Sequence, residues 1–203
     1  MKGNDNGNIQ KDIQLAGLKV LVACEYSGTV RDAFLARGHD AVSCDLLPTD
    51  VPGPHYQGSV LDIVGEPWDL MIAHPPCTYL CNSGVRWLHT EAGRRDKMRD
   101  AAHFFVMLQR ANIPKIAIEN PIPHRYAKEW IGKYSQLIQP WQHGHGETKA
   151  TCLWLKNLEP LKPSNVVEGR EQRIFKLPPS ADRWKLRSTT FPGIARAFAE
   201  QWG

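Results

Sequence analysis

The chain predicts an α/β fold, a three-layer sandwich with a mostly parallel sheet between two layers of helices, and three observations carry that prediction. Apolar runs with the length of buried strands recur at residues 18–24, 70–73 and 115–121. Stretches with helical spacing separate them, as in a succession of strand–helix–strand units. Each run halts at a polar residue or a proline, which places acids and a thiol at the carboxyl ends of the strands, where open α/β sheets bind ligands.

LKVLVAC, residues 18–24, reads as the first strand, and EYSGTVRDAFLARGHD turns from it into a helix with Val30, Ala33, Phe34 and Arg37 at helical spacing and Gly38 at its C-terminus. AVSCD follows as a second strand ending at Asp45. A strand, a glycine-containing turn, a helix and a strand closed by an acid form the layout of a nucleotide-type cofactor half-site. The turn's amides can approach a ligand and Asp45 can accept from ribose hydroxyls, but one glycine is few, and a plain βαβ unit with an exposed strand-end acid fits equally well. Residues 48–58, with three prolines, predict a loop, and SVLDIV a short strand or turn ending near Asp62, an acid placed to bind an adenine amine or to cap a helix.

The stretch WDLMIAHPPCTYLCNSG, residues 68–84, holds the sharpest feature. Leu70–Ala73 predicts a strand buried on both faces, stopped by Pro75 and Pro76, so that Cys77 is held rigidly just past its carboxyl end. A thiol there is a candidate nucleophile, and equally a small packing residue. A helix is expected from about Arg95 to Ala111, with Met98, Ala102, Phe105 and Leu108 as its buried stripe and Arg86, Arg94, Arg95 and Arg99 as a solvated flank or phosphate contacts. KIAIENP, residues 115–121, predicts the next strand. A right-handed crossover makes it the parallel neighbour of the strand at 70, with Cys77 and Glu119 at one sheet edge, able to act on one substrate. Glu119 and Asn120 also suit the N-cap of a helix over 124–134.

SQLIQPWQHG and KATCLWL predict two strands joined as a hairpin across HGHGET. His143, His145 and Cys152, like Cys77 and Cys81, match no zinc spacing, and no metal is expected. Residues 156–188 are rich in proline, arginine and lysine without periodicity and predict an irregular excursion, after which FPGIARAFAEQWG closes as a helix burying Ile194, Ala197, Phe198 and Trp202.

Length and composition bound the reading. A chain of 203 residues, 42% hydrophobic and 23% charged, predicts one globular domain over 17–203 behind a frayed tail at 1–16. The absence of a spanning or signal-like apolar run predicts an intracellular protein without a membrane partner, and five cysteines in that setting predict free thiols. A net charge of +4 permits a polyanionic partner without requiring one.

In order and nearly end to end, these residues resemble the cytosine carbon-5 DNA methyltransferase family. PPCTYLCNSG, Pro75 to Gly84, is similar to the family's PPC-Q-x-F-S-x-x-G segment with its nucleophilic cysteine, Thr78, Leu80 and Cys81 standing for the usual Gln, Phe and Ser. ENP at Glu119 to Pro121 resembles the Glu-Asn-Val element, whose glutamate contacts the cytosine ring. EYSGTVRDAF stands at the family's first glycine motif, with Gly28 retained and Tyr26 and Thr29 at other glycine positions, and PGIARAFA resembles its last motif. The family's Gln-x-Arg-x-Arg strand is matched here only by ETKATCLW, where Lys149 is the nearest cation.

The resemblance implies an S-adenosylmethionine-dependent, Rossmann-like methyltransferase of the short phage type, a monomer acting on DNA in the cytoplasm of a bacterial or phage-infected cell. It implies Cys77 as nucleophile, Glu119 on the cytosine edge and Lys149 at the cytosine carbonyl, with Glu25, Tyr26, Ser27, Gly28, Thr29, Asp45, Leu46, Asp62 and Pro75 around S-adenosylmethionine. The excursion at 156–188 is small for a recognition region, so low or very short sequence specificity, or a single-stranded or nucleotide substrate, is expected, with Arg170, Arg173, Arg183, Lys185 and Arg187 as phosphate contacts. The rival readings are a silent cofactor- or DNA-binding module or accessory subunit, and transfer of a group other than methyl.

Overall fold

The computed structural model describes residues 17–203; the tail expected at 1–16 lies outside the described residues. One sheet of seven strands organises them: β1 (Lys19–Ala23), β2 (Asp40–Asp45), β3 (His55–Gln57), β4 (Leu70–Ala73), β5 (Lys115–Pro121), β6 (Gln136–Ile138) and β7 (Thr151–Lys156), in the order β3-β2-β1-β4-β5-β7-β6. β1 to β5 are parallel, and β7 runs antiparallel between β5 and β6. The chain winds outward from β1 in one direction and returns through β4 in the other, so the sheet has its switch point between β1 and β4.

Period-two alternation explains why the central strands are apolar throughout. Leu21, Ala23, Met71, Ala73, Ile116 and Ile118 face one layer, where they meet α2 (Arg94–Gln109) through Met98, Ala102, Phe105 and Leu108, and α3 (Arg125–Ile131) through Ala127 and Ile131. Val20, Val22, Leu70, Ile72 and Ala117 face the other, against α1 (Thr29–Leu35) and α6 (Pro192–Trp202). Phe34, Phe105 and Phe198 are fully buried, and each such side chain contributes about 1.5–3 kcal/mol by leaving water. The sheet with helices on both faces is the predicted sandwich.

The differences from expectation lie at the short elements. The loop predicted over 48–58 ends in β3, which pairs with β2. Its preceding turn is pinned by Arg31, a side chain with no solvent exposure that donates to Ser43, Thr49 and the carbonyls of Val51 and Pro52. SVLDIV, left between a strand and a turn by its sequence, forms a single 3-10 turn, Val60–Asp62, capped by Ser59. Glu119 and Asn120 belong to β5 and cap nothing; α3 is capped by His124, whose Nδ1 accepts from Ala127 N at 3.0 Å. The excursion at 156–188 contains two short helices, α4 (Arg173–Lys176) and α5 (Arg183–Ser188).

The last helix is locked to the β6–β7 connection by close approach. Gly193 N donates to His145 Nε2 at 2.9 Å, and a Cβ on Gly193 would stand 1.8 Å from the His143 carbonyl oxygen. Because that obstacle is backbone, Gly193→Ala is expected to cost about 3 kcal/mol, lowering Tm by about 6–12 °C in a thermal melt.

Candidate functional site

A cavity of about 1230 Å³ opens at the carboxyl ends of β1, β2, β4 and β5, at the switch point of the sheet. Strand register assembles its floor. Ala73 of β4 stands opposite Ile118 of β5, so one residue further His74 is level with Glu119, and their side chains meet, Nδ1 to Oε2, at 3.0 Å. The Asn120 amide then ties β5 to the Pro75 carbonyl at 3.0 Å, which fixes the two prolines and presents Cys77 to the cavity. Cys77 and Glu119 do share one strand-end crevice, as a parallel pairing of these strands requires.

Charge within the crevice is distributed by few groups. Burial alone would push the Glu119 carboxyl up; the hydrogen bond and charge of His74, the nearby Lys149 ammonium and a hydrogen bond from Thr151 outweigh it and hold Glu119 below its ordinary value of 4.5. Lys149 lines the same cavity, its Nζ 3.4 Å from the Thr189 carbonyl and 5.8 Å from the centre of the Phe191 ring.

The thiols divide into two groups. Cys24, Cys44 and Cys152 are pushed up to about 12, 11 and 11, burial being the largest cause, and they remain inert thiols. Cys77 and Cys81 interact side chain to side chain. The hydrogen bond to Cys81, burial and the Glu119 charge all push Cys77 up. The same bond pulls Cys81 down to about 5, helped by Ser83 and the backbone of Gly84, with the Ser83 hydroxyl 3.0 Å from its sulfur. The bond between them thus acts in opposite directions, up on Cys77 and down on Cys81.

The wall beneath β1 and β2 is the turn at Glu25, Tyr26 and Ser27, together with Asp45, all of which line the cavity, as does Pro75. Glu25 is buried and accepts from Val30 N at 2.7 Å, Arg31 N at 3.2 Å and the Ser27 hydroxyl at 3.0 Å, so it caps α1 and sets the turn's shape. Gly28, at φ 75°, makes that turn; a Cβ there would meet Val51 and the Arg31 guanidinium, so the space beside it is filled by protein. Asp45 accepts from Leu47 N at 2.9 Å through one oxygen.

Four residues predicted to surround the cofactor do not line the cavity: Gly28, Thr29, Leu46 and Asp62. Thr29 faces Ser27, Leu46 is exposed with Leu47 taking the place on the wall, and Asp62, on its 3-10 turn, accepts instead from the Tyr56 hydroxyl at 3.2 Å. Of the cations in the excursion, Arg183 and Arg187 reach the cavity, while Arg173 is paired with Glu147, Lys185 with Asp50, and Arg170 lies over the Trp141 ring.

Among the residues that the reading of the chain missed, His74 is signalled only by its place before the two prolines, one step past a strand whose register was unknown. Trp87, Phe175 and Trp184 line the mouth with partly exposed rings, and α5 folds onto the turn through Tyr26, whose hydroxyl is 2.8 Å from Ser188 Oγ and whose ring is 5.6 Å from that of Trp184. Among the described residues, no three of His, Cys, Asp or Glu converge as metal ligands, and no helix is long and apolar enough to cross a membrane.

No protein-family model matches the chain, and no curated protein matches it. Solved structures do. A prophage-encoded Escherichia coli protein, provisionally described as a DNA modification methyltransferase, aligns over 80% of this chain and 56% of its own, with 14% identity and a TM-score of 0.51. The Entamoeba histolytica methyltransferase EhMeth aligns over 77% of this chain and 57% of its own, with 14% identity and a TM-score of 0.45. The fold is Rossmann-like, of the methyltransferase type. At that identity the first likeness speaks to fold alone, and the chain spans little more than half the length of either protein.

Proposed function

We propose that the chain is a DNA cytosine carbon-5 methyltransferase that uses S-adenosylmethionine and a covalent Cys77 intermediate. The observation that carries this reading is the convergence of Cys77, Glu119 and Lys149 on one switch-point cavity that also holds Asp45 and the Glu25–Ser27 turn. A cavity of about 1230 Å³ has room for a nucleoside-type cofactor beside a target base. Asp45 has a carboxylate oxygen beyond the one engaged by Leu47 for ribose hydroxyls, and Tyr26, Ser27 and Pro75 would flank the remainder. When bound, the cofactor supplies an electrophilic methyl group.

The chain's own residues would do the rest. Cys77 Sγ forms a bond to cytosine carbon 6 while its proton passes to the Cys81 thiolate, and the carbon 5–carbon 6 π pair moves toward carbon 5. Lys149 meets the charge that spreads to the carbonyl oxygen, and Glu119, already ionised, accepts from the exocyclic amine. His74 and Lys149 favour the charged form of Glu119. The target base must leave the stack to reach so recessed a floor, at a cost of about a few kcal/mol. With Arg173 and Lys185 engaged within the protein, few groups are left to read base edges, which supports low or very short sequence specificity.

Mass spectrometry of nucleosides from DNA incubated with the protein and S-adenosylmethionine tests this reading. 5-Methylcytosine spread over many sequence contexts is the expected result; an unmodified cytosine pool, or a methyl group on adenine or on the cytosine amine, overturns it.

A further inference from the structure

Charge and aromatic rings divide the cavity into a floor and a mouth. The carboxylates that line it, Glu25, Asp45 and Glu119, stand at or beside the ends of β1, β2 and β5. The lining drawn from residues 83–94 and 172–190 contains no acid among the described residues, and its charged members are Arg94, Arg183 and Arg187. The same two stretches contribute three rings that line the cavity and remain open to water: Trp87 is 37% exposed, Phe175 71% and Trp184 49%. None of the three takes part in the packing on either face of the sheet. Large rings kept in water around a cavity mark a binding surface, and a lining whose charges are all arginines marks an anionic occupant. Arg94 is already paired with Glu91 at 2.9 Å, whereas Arg183 is steadied through its Nε, which donates to the Leu177 carbonyl at 2.8 Å. Arg183 and Arg187 are therefore the cations of the mouth best placed for phosphates.

We infer that the cytosine is taken from single-stranded DNA, whose bases stack on Phe175, Trp184 and Trp87 and whose phosphates meet Arg183 and Arg187. This rests on the cytosine carbon-5 reading and names its substrate class. The reason lies in which part of a base a ring can grip. In a duplex the base faces are covered by their neighbours, and the open edges are read by hydrogen-bonding side chains. An unpaired strand exposes the faces, and those are what aromatic rings hold. α4 and α5 are four and six residues long and extend no more than about 9 Å, too short to lie along a major groove. A single strand also spares most of the cost of extracting the target base. Because every base has a face to stack, such a mouth is tolerant of sequence, in keeping with low specificity.

The test compares one labelled strand of mixed sequence, about 16 nucleotides long, with the same strand paired to its complement. Binding is read by fluorescence anisotropy without cofactor, and methyl transfer to both forms is read with S-adenosylmethionine. The strand is expected to bind at least about tenfold more tightly than the duplex, with a kcat/KM higher to match. Phe175→Ala and Trp184→Ala should each weaken strand binding about 5–100-fold, and Trp184→Phe should regain most of the loss. Phe175→Ala is the cleaner variant, since Trp184 also packs against Tyr26. Arg183→Gln and Arg187→Gln should each lower the slope of log Kd against log salt by about 0.7. A duplex bound and methylated at least as well as the strand overturns the inference and leaves the methyltransferase reading standing. Strand binding within about twofold of wild type in both alanine variants overturns it too, because stacking would then be absent. If the strand binds as expected but neither form yields 5-methylcytosine, the cytosine carbon-5 reading fails, and the substrate named here fails with it.

Discussion

Cys77→Ala is expected to lower methyl transfer to cytosine by on the order of 10⁴-fold or more, because in the proposed mechanism Cys77 is the group that adds to carbon 6. The three thiols at positions 24, 44 and 152 are made inert by burial, and Cys81, pulled down to about 5 by its bond to Cys77 and by Ser83 and Gly84, is proposed to take the proton of Cys77 rather than to attack. Cytosine carbon 5 is a weak nucleophile until carbon 6 is attacked, so losing the attack loses the activation and leaves only the benefit of binding. Serine at 77 would fare little better, since its hydroxyl would have to lose a proton next to Glu119 and Cys81, two groups that disfavour further negative charge. The measurement is transfer of labelled methyl to DNA at saturating cofactor, together with loss of the 5-fluorocytosine adduct. The thermal melt should stay close to wild type, as Cys77 is not part of either face's packing. Methyl transfer within tenfold of wild type would remove Cys77 from the mechanism.

Glu119→Gln is expected to lower kcat by about 10²–10⁴-fold with a smaller effect on KM. The carboxylate has two jobs that an amide performs poorly: in the proposed mechanism it accepts from the substrate amine, and it pairs with His74 Nδ1 across 3.0 Å. The substitution also carries a stability signature with a definite sign. Glu119 is held below its ordinary value of 4.5, so its folded-state partners stabilise the protein above that pH, and the contribution is lost as pH falls through the lowered value. Glu119→Gln should therefore denature earlier than wild type at neutral pH, and the gap between their midpoints should narrow in acid. A gap that widens as pH falls would mean that Glu119 is stabilised in its neutral form. The change is confined to the site, since the carboxylate contributes nothing to the apolar layers on either side of the sheet.

How much of this was legible in the chain depends on the range of the interaction involved. Leu70–Ala73 and Lys115–Pro121 stand out because a strand buried on both faces must be continuously apolar, and prolines mark where pairing stops. The buried stripe of α2, residues 98, 102, 105 and 108, follows from helical spacing alone. SVLDIV stays open in the sequence because short apolar runs suit a turn as well as a strand, and Ser59, accepting from Leu61 N, decides for the turn. β3 is hidden inside a proline-rich segment because what orders it is distant: Arg31 on α1 reaches across to bond the carbonyls of Val51 and Pro52. The order of the chain places Asp62 where a cofactor acid is expected, yet the 3-10 turn carries it away to Tyr56.

By itself the sequence determined the central strands, the helices that cover them, and the placement of Cys77 and Glu119 at strand ends, since those features arise from local periodicity and from prolines acting on their own neighbours. Only the tertiary structure decided what surrounds each of those groups. His74 becomes a partner of Glu119 through the register of two strands whose residues are 45 positions apart, and Cys81 is brought beside Cys77 by the turn that follows the prolines, with Cys81 N donating to the Cys77 carbonyl at 3.0 Å. The charge and reactivity of an ionisable group depend on what lies within a few ångströms of it, and in this crevice those neighbours are brought in by β-sheet pairing.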